Sequence, residues 1–323
     1  MASIQVPLSV PKNKKSEYER NFKLATAGSG KLLLFAGDQK VEHLNDDFFG
    51  PNINPADASP EHLFQIAKNI PGAVLATHIG LLDRYGAHYK QLPFILKLNG
   101  KTDINKNKNE AISTSWLSME QVLRFKEQSG LKIVGLGYTI YLGSELEAQM
   151  LKEAAHFIYE AHQAGMLAII WMYPRHSKIK NEDDVHLIAG GAGVAASLGA
   201  DFVKVKYPYN SATNDKKATE FQEVIQAAGK TRVICVGGSK QKAENLLTHL
   251  ARQLKNGSAG LAMGRNLHQR SLREATLLGQ SLSAMIHHNI TKTAALDILK
   301  GKDTKKKKKK QVSKNKSKIL GLF

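Results

Sequence analysis

Short apolar segments recur along nearly the whole chain of 323 residues, and an amphipathic stretch follows most of them. Eight of these segments resemble buried strands, at residues 32–36, 73–77, 94–98, 133–136, 167–172, 202–206, 233–236 and 260–263. Helical patterns lie between them, at residues 60–69, 118–128, 145–163, 183–198, 218–228 and 243–254. Regular alternation of strand and helix is typical of a parallel sheet, and eight such units close into a (β/α)8 barrel, the α/β fold called the TIM barrel.

We predict a single barrel domain over residues 20–300, preceded by a polar arm at residues 1–19 and followed by a tail at residues 301–323. A hydrophobic content of 42% is sufficient for a large core. Two further helical patterns, at residues 271–288 and 291–299, are expected to cover one end of the barrel. The Asn- and Lys-rich stretch at residues 101–114 is interpreted as a surface loop.

The net charge of +18 is distributed unevenly along the chain. Residues 302–323 contain ten lysines and one aspartate, so half of the net charge lies in this short segment. A continuous lysine run cannot pack in a core, and we therefore expect the Lys-rich tail to be disordered. We interpret it as a solvated tail that aids solubility. The alternative is a weak electrostatic tether to RNA or to a membrane surface.

Composition also limits the compartment in which the protein works. The single cysteine, Cys235, excludes an internal disulfide and provides no zinc-ligand spacing, which favours a reducing cytosol. The sequence has no run of about 18 apolar residues, and residues 1–18 lack a segment of signal-peptide type. The sequence thus predicts a cytoplasmic protein with no membrane partner.

Polar residues cluster directly after the strand-like segments. They are residues 38–43, His78, Asn99, Tyr138, residues 171–175, residues 204–207, Gly237, Gly238, Gly264 and Arg265. In a (β/α)8 barrel the C-terminal ends of the strands carry the active site. One site fed by several strands explains all of these polar positions together.

Lys204 and Lys206 are the most informative residues of this set. Side chains alternate along a strand, so both lysines are expected on one face. Burial and a second nearby ammonium both lower the pKa of a lysine, which frees the amine to attack a carbonyl. Tyr173, on the preceding strand, could then move protons, and Trp171 shares its face. The alternatives are two surface lysines on an edge strand and two ordinary core aromatics.

Three other groups of residues complete the predicted site. Gly237-Gly238 and Gly264-Arg265 follow the seventh and eighth strands, where barrels commonly bind phosphate, although two ordinary glycine turns would look similar. Asp38 could orient or activate a substrate hydroxyl or hold a lysine; alternatively it caps a helix or is a salt-bridge partner. Asp38, Glu42 and His43 lack a recognisable ligand spacing, so we predict neither a metal nor another cofactor.

Seven segments in this order resemble the archaeal-type class I fructose-1,6-bisphosphate aldolases, a family of Schiff-base aldolases. The segments are residues 37–43 (GDQKVEH), 96–102 (LKLNGKT), 137–141 (GYTIY), 171–175 (WMYPR), 201–207 (DFVKVKY), 236–240 (VGGSK) and 263–266 (MGRN). The resemblance implies that Lys204 forms the Schiff base, that Tyr173 donates and accepts protons, and that Asp38 assists. It further implies substrate or phosphate contacts at His43, Trp171, Arg175, Lys206, Val236, Gly237, Gly238, Gly264 and Arg265.

The implied reaction is the reversible cleavage of fructose 1,6-bisphosphate, a phosphorylated sugar, into dihydroxyacetone phosphate and glyceraldehyde 3-phosphate, without a cofactor. The resemblance also implies a ring-shaped homo-oligomer, with ten subunits as the expected number. The chain departs from the family pattern at Gln39 and Lys40, where the family has His-Gly, and at Val236, where it has serine. These departures leave open a related lysine-dependent sugar-phosphate aldolase, a transaldolase or a thiolase on the same barrel.

Overall fold

The computed structural model describes residues 4–208 and 220–302, and within them eight parallel strands form a closed barrel in sequence order. The strands are β1 (Leu32–Ala36), β2 (Ala73–Thr77), β3 (Pro93–Lys97), β4 (Lys132–Leu142), β5 (Leu167–Pro174), β6 (Phe202–Val205), β7 (Arg232–Val236) and β8 (Gly260–Met263). β8 pairs with β1 in parallel, with Leu261 opposite Leu33, which closes the barrel. The predicted single-domain (β/α)8 fold is therefore confirmed.

Helices surround the barrel. In the described part of the chain they are α1 (Lys15–Ala25), α2 (Gln39–Glu42), α3 (Glu61–Lys68), α4 (Ile79–Tyr85), α5 (Met119–Ser129), α6 (Glu147–Gln163), α7 (Val185–Leu198), α8 (Phe221–Ala228), α9 (Ala243–Lys255), α10 (Arg265–His268), α11 (Leu272–His288) and α12 (Lys292–Leu299), with short 3-10 turns at Lys12–Lys14, Pro55–Ala58 and Gly86–Tyr89. Local sequence fixes several helix starts: Ser118 and Ser271 each begin a helix with a reciprocal capping box.

Several elements differ from the sequence prediction: β4 and β5 run further, and helices α1, α2, α4 and α10 were not predicted. Strand β4 continues to Leu142, beyond the predicted end at residue 136, because it pairs with β5 as far as Leu142 opposite Pro174. Helix α1 was not predicted, and the boundary proposed between residues 19 and 20 falls within it. Its Tyr18 and Phe22 are nearly fully buried, so tertiary packing rather than a strong sequence pattern stabilises this helix.

The hydrophobic core has two layers. One lies between the barrel and its surrounding helices, and the other fills the barrel interior and includes Leu34, Ile169, Trp171 and Phe202. Trp171 is fully buried there. Gly137 on β4 makes room for it, since a Cβ at this position would lie 2.5 Å from the indole ring.

The N-terminal end of the barrel is closed by a buried polar cluster centred on Asp201. The carboxylate accepts hydrogen bonds from Tyr18 Oη and from the Ala168 amide, the latter at 2.8 Å, and it lies 3.1 Å from His162 Nε2. Burial, followed by the charge of Asp201, raises the pKa of Tyr18. This cluster satisfies its own polar atoms, so it stabilises one end of the barrel and leaves the opposite end for ligands.

No helix in the described ranges is long and apolar enough to cross a membrane. Residues 303–323, which contain nearly all of the predicted Lys-rich tail, lie outside the described residues.

Replacing Gly137 by alanine is expected to destabilise the protein by about 1–3 kcal/mol, because the new methyl group overpacks the core against Trp171. The midpoint of chemical denaturation measures this effect. Gly190→Ala is the matched control: Gly190 is exposed in α7, and a Cβ there meets no atom within 4 Å. The control should gain up to about 1 kcal/mol from helix propensity. Equal midpoints for the two variants would contradict the proposed packing.

Candidate active site

The C-terminal ends of the strands surround a cavity of about 200 Å³. Eleven of the predicted site residues line it: Asp38, His43, Tyr173, Arg175, Lys204, Lys206, Val236, Gly237, Gly238, Gly264 and Arg265. They come from five strand ends that are distant in sequence. The cavity brings these five strand ends together, whereas four other predicted polar positions, His78, Asn99, Tyr138 and Trp171, do not line it.

Lys204 is the buried amine of the cavity. It lies on β6 opposite Trp171 of β5, and only 7% of the residue is exposed. Its Nζ atom is 5.1 Å from the centroid of the Trp171 ring and 5.9 Å from that of Tyr173. Burial lowers the pKa of Lys204, and the carboxylates of Asp38 and Glu42 oppose this shift.

Lys206 occupies a different environment. Strand β6 ends at Val205, and the side chain of Lys206 is 35% exposed near the cavity mouth. Its Nζ forms ion pairs with Glu182 at 3.2 Å and Asp183 at 3.4 Å. Lys206 was expected to lower the pKa of the reactive amine. The structure corrects this, because Arg265 is the cation that contributes to lowering the pKa of Lys204.

Trp171 and Tyr173 extend from the same strand but lie at different depths. Trp171 was expected to contact substrate, yet it lies in the barrel interior and is not among the cavity-lining residues. Its indole instead packs beneath the amine of Lys204. Tyr173 does line the cavity. Burial, and then the charges of Glu42 and Asp38, raise the pKa of Tyr173 well above its usual value, so its hydroxyl stays protonated.

Asp38 follows β1 and is almost completely buried. It occupies the residue before α2, but its side chain makes no capping hydrogen bond, which excludes the helix-cap alternative. Neither carboxylate oxygen has a hydrogen-bond partner among the described residues. Burial alone would raise the pKa of Asp38, but the positive charges of Lys204 and Lys97 outweigh it and lower the pKa.

Three residues that the sequence analysis did not assign lie in or beside the site. Lys97, at the end of β3, is fully buried, and its Nζ lies 3.9 Å from Asp38 Oδ2. Glu42 lines the cavity with Oε1 buried and unpaired, and burial raises the pKa of Glu42. Asp47 contacts His43 Nδ1 and lies 3.7 Å from Arg265 Nε. Lys97 interrupts an apolar strand, the same signal that identified Lys204, whereas Asp47 carries no local signal.

The loop at residues 101–114, interpreted as a surface loop, partly contributes to the cavity wall. Asp103 lines the cavity, and its amide donates to the Glu42 carbonyl at 2.9 Å. This contact could not be anticipated, because it joins two loops that are distant in sequence. Arg175 lies nearby, with its guanidinium carbon 5.7 Å from the centroid of the Tyr141 ring.

Asn266, to which the sequence analysis gave no role, joins the loop after β8 to the loop after β7. Asn266 donates from Nδ2 to the carbonyls of Gly237, Gly238 and Ser239, at 3.0, 3.1 and 2.8 Å. In a trans peptide the N–H points opposite to the C=O, so the amides that follow these carbonyls point away from Asn266. Gly238 has φ +70°, a conformation that favours glycine.

Within the described ranges, no group of three or more His, Cys, Asp or Glu side chains is arranged to hold a metal ion. The absence of a metal or other cofactor stays a prediction.

Comparison with known proteins places this geometry in a family. The family model of the DeoC/LacD family aldolases matches residues 32–270. The chain is 48% identical over 299 residues to the fructose-bisphosphate aldolase/6-deoxy-5-ketofructose 1-phosphate synthase of Methanocaldococcus jannaschii, covering 92% of this chain and 95% of the relative.

Solved structures agree with this relationship. A fructose-bisphosphate aldolase from Slackia heliotrinireducens superposes with a TM-score of 0.90 at 41% identity, over 94% of this chain and 95% of the other. An archaeal fructose-1,6-bisphosphate aldolase, whose catalytic lysine is covalently bound to the carbinolamine intermediate of its substrate, gives a TM-score of 0.71 at 30% identity, over 84% and 99%. The resemblance to class I fructose-bisphosphate aldolases is thus confirmed, and the chain belongs to the DeoC/LacD family of aldolases.

Proposed function

We propose that this protein is a class I fructose-bisphosphate aldolase, which reversibly cleaves fructose 1,6-bisphosphate into dihydroxyacetone phosphate and glyceraldehyde 3-phosphate. The observation that carries the proposal is a buried lysine amine, Lys204, in one cavity with a carboxylate and a protonated tyrosine, Asp38 and Tyr173. The named relatives support the same reaction class.

The first half of the reaction forms the Schiff base. The neutral amine of Lys204, favoured by burial, attacks the C2 ketone of the open-chain sugar to give a carbinolamine. Loss of water leaves an iminium cation on C2. Tyr173 is suited to donate the proton that the departing hydroxyl needs, because its raised pKa keeps the phenol protonated.

The second half breaks the carbon–carbon bond. A base removes the proton of the C4 hydroxyl, the C3–C4 bond breaks, and its electron pair moves into the iminium to form an enamine. Glyceraldehyde 3-phosphate leaves. Asp38 fits the role of base, because the neighbouring lysines hold its carboxyl ionised. The proton that Asp38 took from the C4 hydroxyl passes through water to Tyr173, and Tyr173 then protonates C3 of the enamine. Water hydrolyses the resulting iminium to release dihydroxyacetone phosphate and free Lys204, and the proton set free in this step restores the Tyr173 phenol.

Phosphate groups would fix the sugar at both ends. The amides that point away from Asn266, together with Gly264 and Arg265, form a positive, glycine-lined wall suited to one phosphate. Arg175 and Lys206 directly follow strands β5 and β6, line the same cavity and fit the other phosphate. Holding both phosphates would place C2 at Lys204 and so convert binding energy into positioning.

A second candidate reaction uses the same enamine. The Methanocaldococcus jannaschii relative is named for two activities, an aldolase and a 6-deoxy-5-ketofructose 1-phosphate synthase. The three-carbon enamine on Lys204 could be passed to another aldehyde in place of glyceraldehyde 3-phosphate. Incubation of fructose 1,6-bisphosphate with a panel of small aldehydes, followed by mass spectrometry of the sugar products, distinguishes transfer from simple cleavage.

The remaining expectations from the family resemblance are kept as proposals. They are a cytoplasmic location, a place in glycolysis or gluconeogenesis, and a ring-shaped homo-oligomer. The arm, barrel and tail division at residues 1–19, 20–300 and 301–323 is also a proposal. Gel filtration coupled to light scattering measures the subunit number.

Lys204→Met is expected to abolish cleavage, whereas Lys206→Ala should retain activity with kcat/KM lowered roughly 10- to 100-fold, the range for loss of one charged hydrogen bond. Lys204 supplies the nucleophile, and Lys206 supplies charge near the mouth. A coupled assay of triose phosphate production measures both variants. Borohydride reduction with dihydroxyacetone phosphate should modify Lys204 in the wild type. A wild-type protein modified elsewhere, or not at all, would overturn the mechanism.

Tyr173→Phe is expected to lower kcat by about 10²- to 10⁴-fold, because it removes a proton donor without removing the nucleophile. The borohydride-trapped adduct on Lys204 should still form. Tyr141→Phe is the matched control, since Tyr141 lines the same cavity on the neighbouring strand and has no proposed proton-transfer role. An equal, small effect of both substitutions would assign Tyr173 to packing alone.

Cleavage is expected to survive exhaustive treatment with EDTA. The iminium on Lys204 withdraws electrons from the C3–C4 bond, the role that a bound zinc ion has in metal-dependent aldolases. The rate before and after chelation is the measurement, with a zinc-dependent aldolase treated in parallel as control. Loss of turnover that added zinc restores would contradict the Schiff-base assignment.

A further inference from the structure

Lys97 is a buried lysine that takes no part in the bond-making and bond-breaking steps above. It is the last residue of β3, its side chain is 0% exposed, and it is not among the residues that line the cavity. Its Nζ lies 5.3 Å from the centroid of the Trp171 ring, which also underlies the amine of Lys204 at 5.1 Å. Burying a charged lysine costs free energy unless the amine is paired and hydrogen-bonded. The groups that contact the Lys97 amine therefore indicate its role.

The amine of Lys97 is fixed in place by Asn99. Nζ donates to the Asn99 carbonyl at 2.8 Å and to its Oδ1 at 3.2 Å. Asn99 is itself rigid, since its Nδ2 donates to the Ser113 and Thr139 carbonyls and its Oδ1 accepts from the Thr139 amide. An ammonium held by two acceptors behind the cavity wall is poorly placed to attack substrate, which distinguishes Lys97 from Lys204.

The partner of Lys97 on the cavity side is Asp38. Lys97 Nζ and Asp38 Oδ2 are 3.9 Å apart. Within residues 4–208 and 220–302, Asp38 forms no second ion pair. The other titratable groups that interact with the charge of Asp38 are Lys204 on β6, His78 after β2, Glu42 on α2 and Tyr173 on β5. Burial lowers the pKa of His78 to about 4, so this imidazole is neutral near pH 7 and adds no compensating charge.

The two lysines beside Asp38 cannot act alike during the reaction. Lys204 must be neutral to attack a carbonyl, and at that stage it no longer compensates the charge of Asp38. A buried carboxylate without a compensating cation binds a proton, which would remove the base. Lys97 does not react. Burial lowers the pKa of Lys97, but the carboxylates of Glu42 and Asp38 oppose this shift, and the hydrogen bonds to Asn99 hold the ammonium form.

We propose that Lys97 is a positioning residue, which keeps the Asp38 carboxylate ionised and fixed beside the cavity while Lys204 is neutral; this rests on the role proposed above for Asp38. The same arrangement fits the finding that neither Asp38 oxygen has a hydrogen-bond partner in the described part of the chain. The ion pair, rather than a hydrogen-bond donor, maintains the charge, and both oxygens remain available to a substrate hydroxyl.

Lys97→Met tests the proposal in the full-length protein through the pH dependence of kcat/KM for cleavage. Asp38 must be ionised to act, so removing the cation raises its pKa and moves the acid limb of the profile to higher pH. We expect a shift of at least about one pH unit, hence a loss of about tenfold or more on the acid side that recovers as the pH rises. A loss by the same factor at every pH, or an unshifted profile, overturns the proposal.

Three further variants complete the test. Lys97→Arg retains the charge and should leave the acid limb near its wild-type position. Lys68→Met removes an exposed lysine on α3 and should leave the profile unshifted. If thermal denaturation shows that Lys97→Met does not fold, Lys97→Gln replaces it. The glutamine can still donate a hydrogen bond to Asn99 but carries no charge, so the same shift of the acid limb is expected.

A double-mutant cycle shows whether Lys97 acts through Asp38. In an Asp38→Asn background, Lys97→Met should cause no further loss of kcat/KM and no pH shift. Additive losses would assign Lys97 a separate role and overturn the proposal. The borohydride adduct on wild-type Lys204 is measured independently, so its absence would reject the proposed function, whereas its presence with an additive cycle rejects only the inference about Lys97.

Discussion

The charge balance at the C-terminal end of the barrel is the constraint on which the site depends. Two lysines, Lys97 and Lys204, and the carboxylate of Asp38 are buried there, and Glu42 is half-buried with its Oε1 atom inaccessible to water. No single member is stable in its charged form alone, because burial disfavours each one. Their mutual compensation allows a lysine with a lowered pKa and an ionised aspartate to coexist, and a Schiff-base enzyme needs both.

The closed barrel separates its two ends, so the buried charges at one end do not disturb the packing at the other. Near the N-terminal end, Asp201 takes hydrogen bonds from Tyr18 and Ala168, so that polar cluster is internally satisfied. At the other end, Asp38 and Glu42 retain oxygens without hydrogen-bond partners among the described residues. The unsatisfied end is therefore the one prepared for a ligand, and the apolar layer that contains Trp171 separates the two ends.

The sequence predicted the strands well because each strand is an apolar run, and it predicted Lys204 because a lysine inside such a run is conspicuous. Lys97 interrupts β3 in the same manner, so the sequence carries the same signal for it. Helix α1 and the roles of Asp47 and Asn266 were less accessible. Their significance arises from contacts with residues distant in sequence, which no local pattern encodes.

The departure from the family pattern at Gln39 has a structural counterpart in the loops. Gln39 Oε1 lies 3.1 Å from His268 Nε2, and His268 Nδ1 lies 2.7 Å from the buried carboxylate of Asp57. Gly264 leaves the space that this amide occupies, since a Cβ there would lie 1.8 Å from Gln39 Oε1. The chain thus holds Gln39 at the cavity wall through residues outside the strands. The reacting groups Lys204 and Tyr173 lie on strands, so this loop network can alter substrate preference while leaving the Schiff-base chemistry in place.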